Sequence, residues 1–252
     1  MNFKSNIVFY ALIIIILYYF IFVCINKEGF SNLNHAPEKV FVFWTGNNKM
    51  SINRRRCYNS IKKNIGVPVV LVTPKNLNKF IHKDYPIHPA FKYLSLVHKS
   101  DYLRTYFMHL YGGGYTDIKQ TDVNWKPFFK NLNSQSNKWC NGYTEIAGGT
   151  ASNDSEIHKK YYNYIGNGAY IFKPRTQITK KWFDTLNIKL DENYEKLKEN
   201  PGQLCDSKND CKETKYPIYW SYLLGSHFHD ILKPYQDKIL HDLPLINTNN
   251  YR

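Results

Sequence analysis

One stretch of the chain gathers residues that could do chemistry. It runs His98-Lys-Ser-Asp-Tyr-Leu-Arg-Thr-Tyr-Phe-Met-His-Leu-Tyr-Gly-Gly-Gly-Tyr-Thr-Asp117. Asp101 and Arg104 stand three apart, so on a helix they share a face. A carboxylate there can hold a sugar hydroxyl, and a guanidinium can hold a phosphate or grip the carboxylate. Alone, the two could be a surface ion pair worth about a few tenths of a kcal/mol. The residues that follow shift the balance. Gly112, Gly113 and Gly114 end the helix, admit positive φ and allow close backbone approach. They deliver Asp117 at the end of a short strand. A carboxylate exposed there can bind a divalent ion that bridges a diphosphate.

These side chains need elements to position them. Leu103, Phe107 and Leu110 recur at helical spacing, so a helix is expected over 96–111, closed by the glycines. Upstream, 39–44 reads as a buried strand, 51–64 as a helix with Ile52, Tyr58 and Ile61 inward, and 67–72 as a second strand. Strand, helix, strand in so short a span is a βαβ unit, which predicts a parallel sheet. Neither G-x-G-x-x-G nor G-x4-G-K-[ST] occurs, which removes the usual dinucleotide and P-loop readings. Residues 76–95 read as a loop with a short helix, 115–119 as a strand and 120–160 as loop-rich. Tyr170 to Phe172 reads as a strand and 178–188 as a helix. Residues 189–215 are polar. The aromatic-rich 219–232 carries His227 and His229, and Trp220 and Tyr222 there could stack on a sugar or fill the core.

The stretch SDYLRTYFMHLYGGGYTDIK resembles the [SA]-D-x-x-R-x7-G-G-x-Y-x-D-x-D core of sugar-nucleotide glycosyltransferases with a DXD motif. That group includes fungal outer-chain mannosyltransferases and capsular-polysaccharide-type enzymes. The resemblance implies α/β architecture of the GT-A type, a Rossmann-like nucleotide-diphospho-sugar transferase fold, over residues 39–252. It also implies transfer of a hexose, with retention, from a nucleoside diphosphate sugar to a hydroxyl of a glycan or glycolipid. By position, Asp101, Arg104, Gly113, Tyr115 and Asn167 would bind the donor. Trp44, Thr45 and Gly46, at the tip of the first strand, would meet the nucleotide base. Asp117 is the first acid of the motif and would hold the metal, by implication Mn2+. The second acid is Lys119, a departure from the pattern. Three outcomes are open. Asp117 binds the ion with help from His227, His229, His241 or Asp122. Alternatively Lys119, acting beside Asp117 in catalysis, neutralises the diphosphate itself. The third outcome is an inactive glycan-binding relative of the same fold.

The rest of the chain bounds this reading. Its 252 residues are 43% hydrophobic and 16% aromatic, which excludes disorder. Lys and Arg outnumber Asp and Glu by 34 to 20. Such charge allows an acidic partner, but the lysines are spread along the chain and no nucleic-acid motif occurs, so no nucleic acid is expected. Residues 7–25 are uncharged and long enough to span a bilayer. The expectation is a six-residue tail (1–6), an uncleaved transmembrane helix at 7–25 and a polar stalk at 26–38. The protein would then be a single-pass membrane protein, type II with its catalytic domain in the lumen or, in the opposite orientation, with that domain facing the cytosol. Lys4 on one side and Lys27 beside Glu28 on the other leave the flanking charges nearly balanced. Cys24 falls in the apolar run. Cys205 and Cys211 could close a small loop or stay reduced, and no cysteine spacing suits zinc.

Overall fold

The computed structural model describes residues 34–202, 215–247, 249 and 251. The expected membrane helix at 7–25 and the Cys205–Cys211 segment lie outside them. Among the described residues no helix is long and apolar enough to cross a membrane. Along the chain come β1 (Val40–Phe43), α1 (Ile52–Asn64), β2 (Val69–Val72), α2 (Leu96–Leu110), β3 (Gly113–Thr116), α3 (Lys126–Ser134) and β4 (Cys140–Thr144). They are followed by α4 (Ser155–Lys159), β5 (Ile165–Phe172), α5 (Gln177–Glu192), α6 (Tyr194–Glu199), α7 (Gly225–Leu232) and β6 (Ile239–Leu240).

The strands form one six-stranded sheet in the order β2-β1-β3-β5-β4-β6. The predicted parallel pairing holds for β1 with β2 and with β3. It fails at β5, which runs antiparallel to both β3 and β4, and returns where β4 and β6 pair in parallel. The sheet is therefore mixed. The mid-chain segment 120–160, read as loop, contains α3, β4 and α4. β4 carries Asn141 and Gly142 in place of a β-branched run, and its apolar pattern is too broken to stand out.

Alternation along β1 builds two cores. Phe41 and Phe43 face one, shared with Tyr102, Tyr106 and Phe107 of α2, Trp182 of α5 and Phe228 of α7. Val40 and Val42 face the other, shared with Cys57 and Ile61 of α1 and Phe129 of α3. This is the period-2 geometry of a strand buried on both faces. Ile52, expected inward, is 72% exposed, and Cys57 takes the inward position with Ile61. Cys57 and Cys140 are buried free thiols. The described end of the expected stalk packs on the domain: Ala36 is buried, and its N–H donates to Asn133 Oδ1 at 2.8 Å.

The glycine run works differently from its sequence reading. Gly112 ends α2 at φ +61°, and Gly113 and Gly114 already belong to β3. At Gly113, φ is +86° and a Cβ would sit 2.9 Å from the Lys39 carbonyl oxygen. The close approach is thus between two segments of the protein's own backbone. It lets β3 turn straight out of the helix and lie beside β1.

Candidate donor site

β1 and β3 are parallel, so their carboxyl ends lie at the same edge of the sheet. From β1 the chain passes through α1 to β2 on one side, and later through α2 to β3 on the other. The edge between β1 and β3 is therefore a switch point, where open α/β sheets bind ligands. A cleft of about 810 Å³ opens there.

α2 supplies one wall. Val97, Ser100, Asp101 and Arg104 line the cleft at helical spacing. The helix is capped by Ser95, whose Oγ accepts from the His98 N–H. Asp101 is 3% exposed and Arg104 7%, so they are no surface ion pair. Arg104 Nη2 lies 3.1 Å from Asp101 Oδ1. Its Nη1 donates to the Asn167 carbonyl at 2.9 Å, and its guanidinium lies over the Tyr115 ring, 4.6 Å from the centroid. Burial pushes the Asp101 carboxyl above its ordinary range, against the pull of Arg104.

β3 and β5 supply the floor. The pairing of Tyr115 with Tyr170 and of Thr116 with Ala169 continues into a bond from the Asp117 N–H to the Gly168 carbonyl at 2.8 Å. Asp117 thereby sits just past the strand end, its side chain 26% exposed. Oδ1 accepts from the Tyr115 hydroxyl at 2.6 Å and faces Arg104 Nη2 at 3.8 Å. Oδ2 faces Lys119 Nζ at 3.0 Å. Burial would raise this carboxyl, but Lys119, Arg104 and the Tyr115 hydroxyl outweigh it and hold it below the usual range. Asp117 is ionised at neutral pH.

The tip of β1 closes the third side with Trp44, Thr45 and Gly46. Thr45 Oγ1 donates to the Leu96 carbonyl at 2.7 Å, pinning the tip to the start of α2. Trp44 Nε1 donates to the Asn48 carbonyl at 2.8 Å. Asn167 completes the cleft beside Arg104. Of the expected donor-site residues, all but Gly113 line it. Gly113 is inside the sheet, paired with Phe172.

Residues 19–121 match the family described as capsular polysaccharide synthesis protein. The match takes in β1, α1, α2, β3 and Asp117, and covers less than half of the chain. Comparison with curated proteins gives no match. Among solved structures, the chain is similar to one titled "PaToxG Glycosyltransferase", at 15% identity and a TM-score of 0.45, over 84% of this chain and 76% of that one.

The donor set around Asp117 does not fit a divalent cation. Both carboxylate oxygens are engaged, one by a hydroxyl and one by an ammonium. An ion at Asp117 would be drawn by that carboxylate and repelled to a comparable degree by Lys119 beside it, so the pair offers a divalent cation little net attraction. The expected helpers lie elsewhere. His227 is buried in α7 and held neutral. His229 meets the Ile165 carbonyl and Glu145. Asp122 accepts from Gln120, and neither it nor His241 lines the cleft. Among the described residues no three His, Cys, Asp or Glu side chains cluster as metal ligands would.

Two contributors escaped the sequence reading. Arg54, on the helix predicted over 51–64, turns into the cleft and donates through Nη1 to the Ile118 carbonyl at 2.8 Å. Its guanidinium stands 4.6 Å from the centroid of Tyr251, whose ring also carries Lys119 Nζ at 5.2 Å. No sequence signal separated Arg54 from Arg55 and Arg56. His98 is buried one turn before Asp101. Its Nδ1 is 2.8 Å from the Tyr216 hydroxyl and its Nε2 3.1 Å from the Trp220 carbonyl. It ties α2 to the 215–224 segment, from which Trp220 and Ser221 roof the cleft.

Proposed function

We propose that the protein is a glycosyltransferase of the GT-A type, moving a hexose from a nucleoside diphosphate sugar to a hydroxyl of a glycan or glycolipid. The observation that carries this is the linked row Asp101–Arg104–Asp117–Lys119 at the carboxyl ends of β1 and β3, lining a cleft large enough for a nucleotide sugar. The match of residues 19–121 to capsular polysaccharide synthesis proteins supports the same class, since building a polysaccharide is glycosyl transfer. In the reaction the bond from the anomeric carbon to the β-phosphate oxygen breaks, and its electron pair leaves with the nucleoside diphosphate. The acceptor oxygen bonds the anomeric carbon, and its proton passes to the leaving phosphate or to water. Retention of configuration rests on the sequence resemblance alone. Anchoring in a membrane rests on the uncharged run at 7–25 alone.

The chain's own residues have distinct tasks. Trp44, Thr45 and Gly46 meet the base end of the donor. Asp101 is held by Arg104 and, with the Asn167 backbone, orients the sugar. The positive side chains stabilise the charge that develops on the leaving diphosphate, which is where electrostatic catalysis acts.

The test is a screen of UDP- and GDP-sugars by thermal shift, followed by donor hydrolysis in Mn2+ and in EDTA. A donor that raises the melting temperature and is turned over supports the reading. If no donor shifts the melt or is turned over under either condition, the reading is wrong. The second reading, an inactive glycan-binding relative, is favoured by Lys119 standing 3.0 Å from Asp117 and cancelling its charge. Binding of an oligosaccharide without donor turnover would support it.

A further inference from the structure

We propose that this cleft holds a diphosphate without a metal ion, between the ammonium of Lys119 and the guanidinium of Arg54. The inference rests on the nucleotide-sugar reading above and concerns how that site meets the donor's charge. Three observations carry it.

The first is the charge of the wall. Lys49, Arg54, Arg104 and Lys119 line the cleft against two carboxylates, Asp101 and Asp117. Each carboxylate is already held by a cation, Asp101 by Arg104 and Asp117 by Lys119. The surplus positive charge of Lys49 and Arg54 faces whatever occupies the cleft. A leaving nucleoside diphosphate carries several negative charges and matches that surplus; a second cation does not.

The second is placement. Arg54 comes from the opposite face of the sheet to Arg104, and its bond to the Ile118 carbonyl fixes it beside Asp117 and Lys119 in the chain. The Tyr251 ring is shared by both cations, Arg54 at 4.6 Å and Lys119 at 5.2 Å from its centroid, which keeps them within about 10 Å of one another. Two cations within that reach can each give charge-assisted hydrogen bonds to one end of a diphosphate.

The third is the division of labour between the arginines. Arg104 spends Nη1 on Asn167 and Nη2 on Asp101. It is a positioning residue that fixes the floor of the cleft. Arg54 gives Nη1 to the Ile118 carbonyl and Lys119 meets Asp117 through an ammonium with three N–H donors, so each lines the cleft with donors to spare and these are the residues that would touch the phosphates.

The experiment is isothermal titration of the full chain with UDP, GDP and inorganic pyrophosphate, each in EDTA and in MnCl2. A nucleotide affinity in EDTA within about threefold of that in MnCl2 is expected, with Arg54→Gln and Lys119→Ala each weakening it about tenfold or more. Gln keeps a donor for the Ile118 carbonyl, so loss of binding in that variant reports the charge and not the fold. Lys119→Asp rebuilds the Asp-x-Asp pattern and is expected to bind nucleotide about tenfold tighter with MnCl2 than without. Nucleotide binding by the unaltered chain only in MnCl2 overturns the proposal and leaves the glycosyltransferase reading standing. Pyrophosphate binding in EDTA with no nucleotide binding keeps the phosphate grip and removes the nucleotide reading. No binding of any of the three probes overturns both.

Discussion

Lys119 Nζ lies 3.0 Å from Asp117 Oδ2, two residues along the chain, where the Asp-x-Asp pattern puts its second carboxylate. The pair neutralises itself. On the other side of Asp117, Arg104 joins it to Asp101, so four charges of alternating sign run from helix α2 to the end of strand β3.

Arg104 is the keystone of that row, and its loss should be felt as instability first. Arg104→Ala leaves Asp101 buried with no cation beside it, the situation that costs about 3–5 kcal/mol. Urea denaturation should show that loss. A variant within about 1 kcal/mol of the original protein would mean that the Asp101–Arg104 pair does not hold the floor of the cleft.

Tyr115→Phe removes one hydrogen bond to a carboxylate, at a cost of about 1.5–3 kcal/mol near neutral pH. The pH dependence follows from the sign of the Asp117 shift. A carboxyl held below its unfolded value stabilises the fold above that value and loses the contribution as pH falls through the lowered one. The stability difference between the two proteins should therefore be largest at neutral pH and shrink as Asp117 protonates in acid. A difference independent of pH would place the effect of the hydroxyl somewhere other than Asp117.

Acid should also weaken the fold through His227. Burial, with the positive charge of Lys189 nearby, pushes its imidazole down to about 3. Below the unfolded value of about 6.5 the unfolded chain binds the proton first, so stability falls as pH drops from there toward 3. About 1–2 kcal/mol should be lost between pH 7 and pH 5 from this residue. His109, pushed down to about 4 by burial and by Arg175, adds to the same limb. Melts at several pH values on His227→Gln should show a shallower acid slope; an unchanged slope counts against the assignment.

The glycines separate structure from ligand contact. Gly113→Ala sets a Cβ 2.9 Å from the Lys39 carbonyl oxygen at φ +86°, so it should destabilise by about 2 kcal/mol or more. Gly148→Ala, at φ +76° with open space around it, should cost about 1 kcal/mol from backbone strain alone. Thermal melts of the two variants compare them directly, and equal losses would show that the Lys39 contact carries no weight.

Much of this site was legible in the sequence because its residues are close in sequence and their types are restrictive. Asp101, Arg104 and Asp117 follow from helix spacing, a glycine stop and a strand end. The end of β1 follows from an apolar run broken at Thr45 and Gly46, while its place in the site is what the resemblance to sugar-nucleotide glycosyltransferases implies. What could not be read depends on long-range contact. Arg54 looks like its neighbours Arg55 and Arg56, and only the register of α1 on the sheet turns it toward Ile118. Gly113 reads as a ligand contact because the sequence cannot show that Lys39 occupies the space beside it. The antiparallel turn at β5 is set by pairing across more than fifty residues, and local periodicity carries no information about direction.

The cleft as a whole draws on both cores, its floor from one and its proposed phosphate grip from the other. Arg104 and the helix that bears it belong to the Phe41 side of the sheet, Arg54 and its helix to the Val42 side, and β1 is the wall between them. A partly folded chain with one core formed and the other open would present half a binding site. On the proposed reading, nucleotide binding would report that both cores have assembled, and it could serve as a folding assay before any sugar or acceptor has been identified.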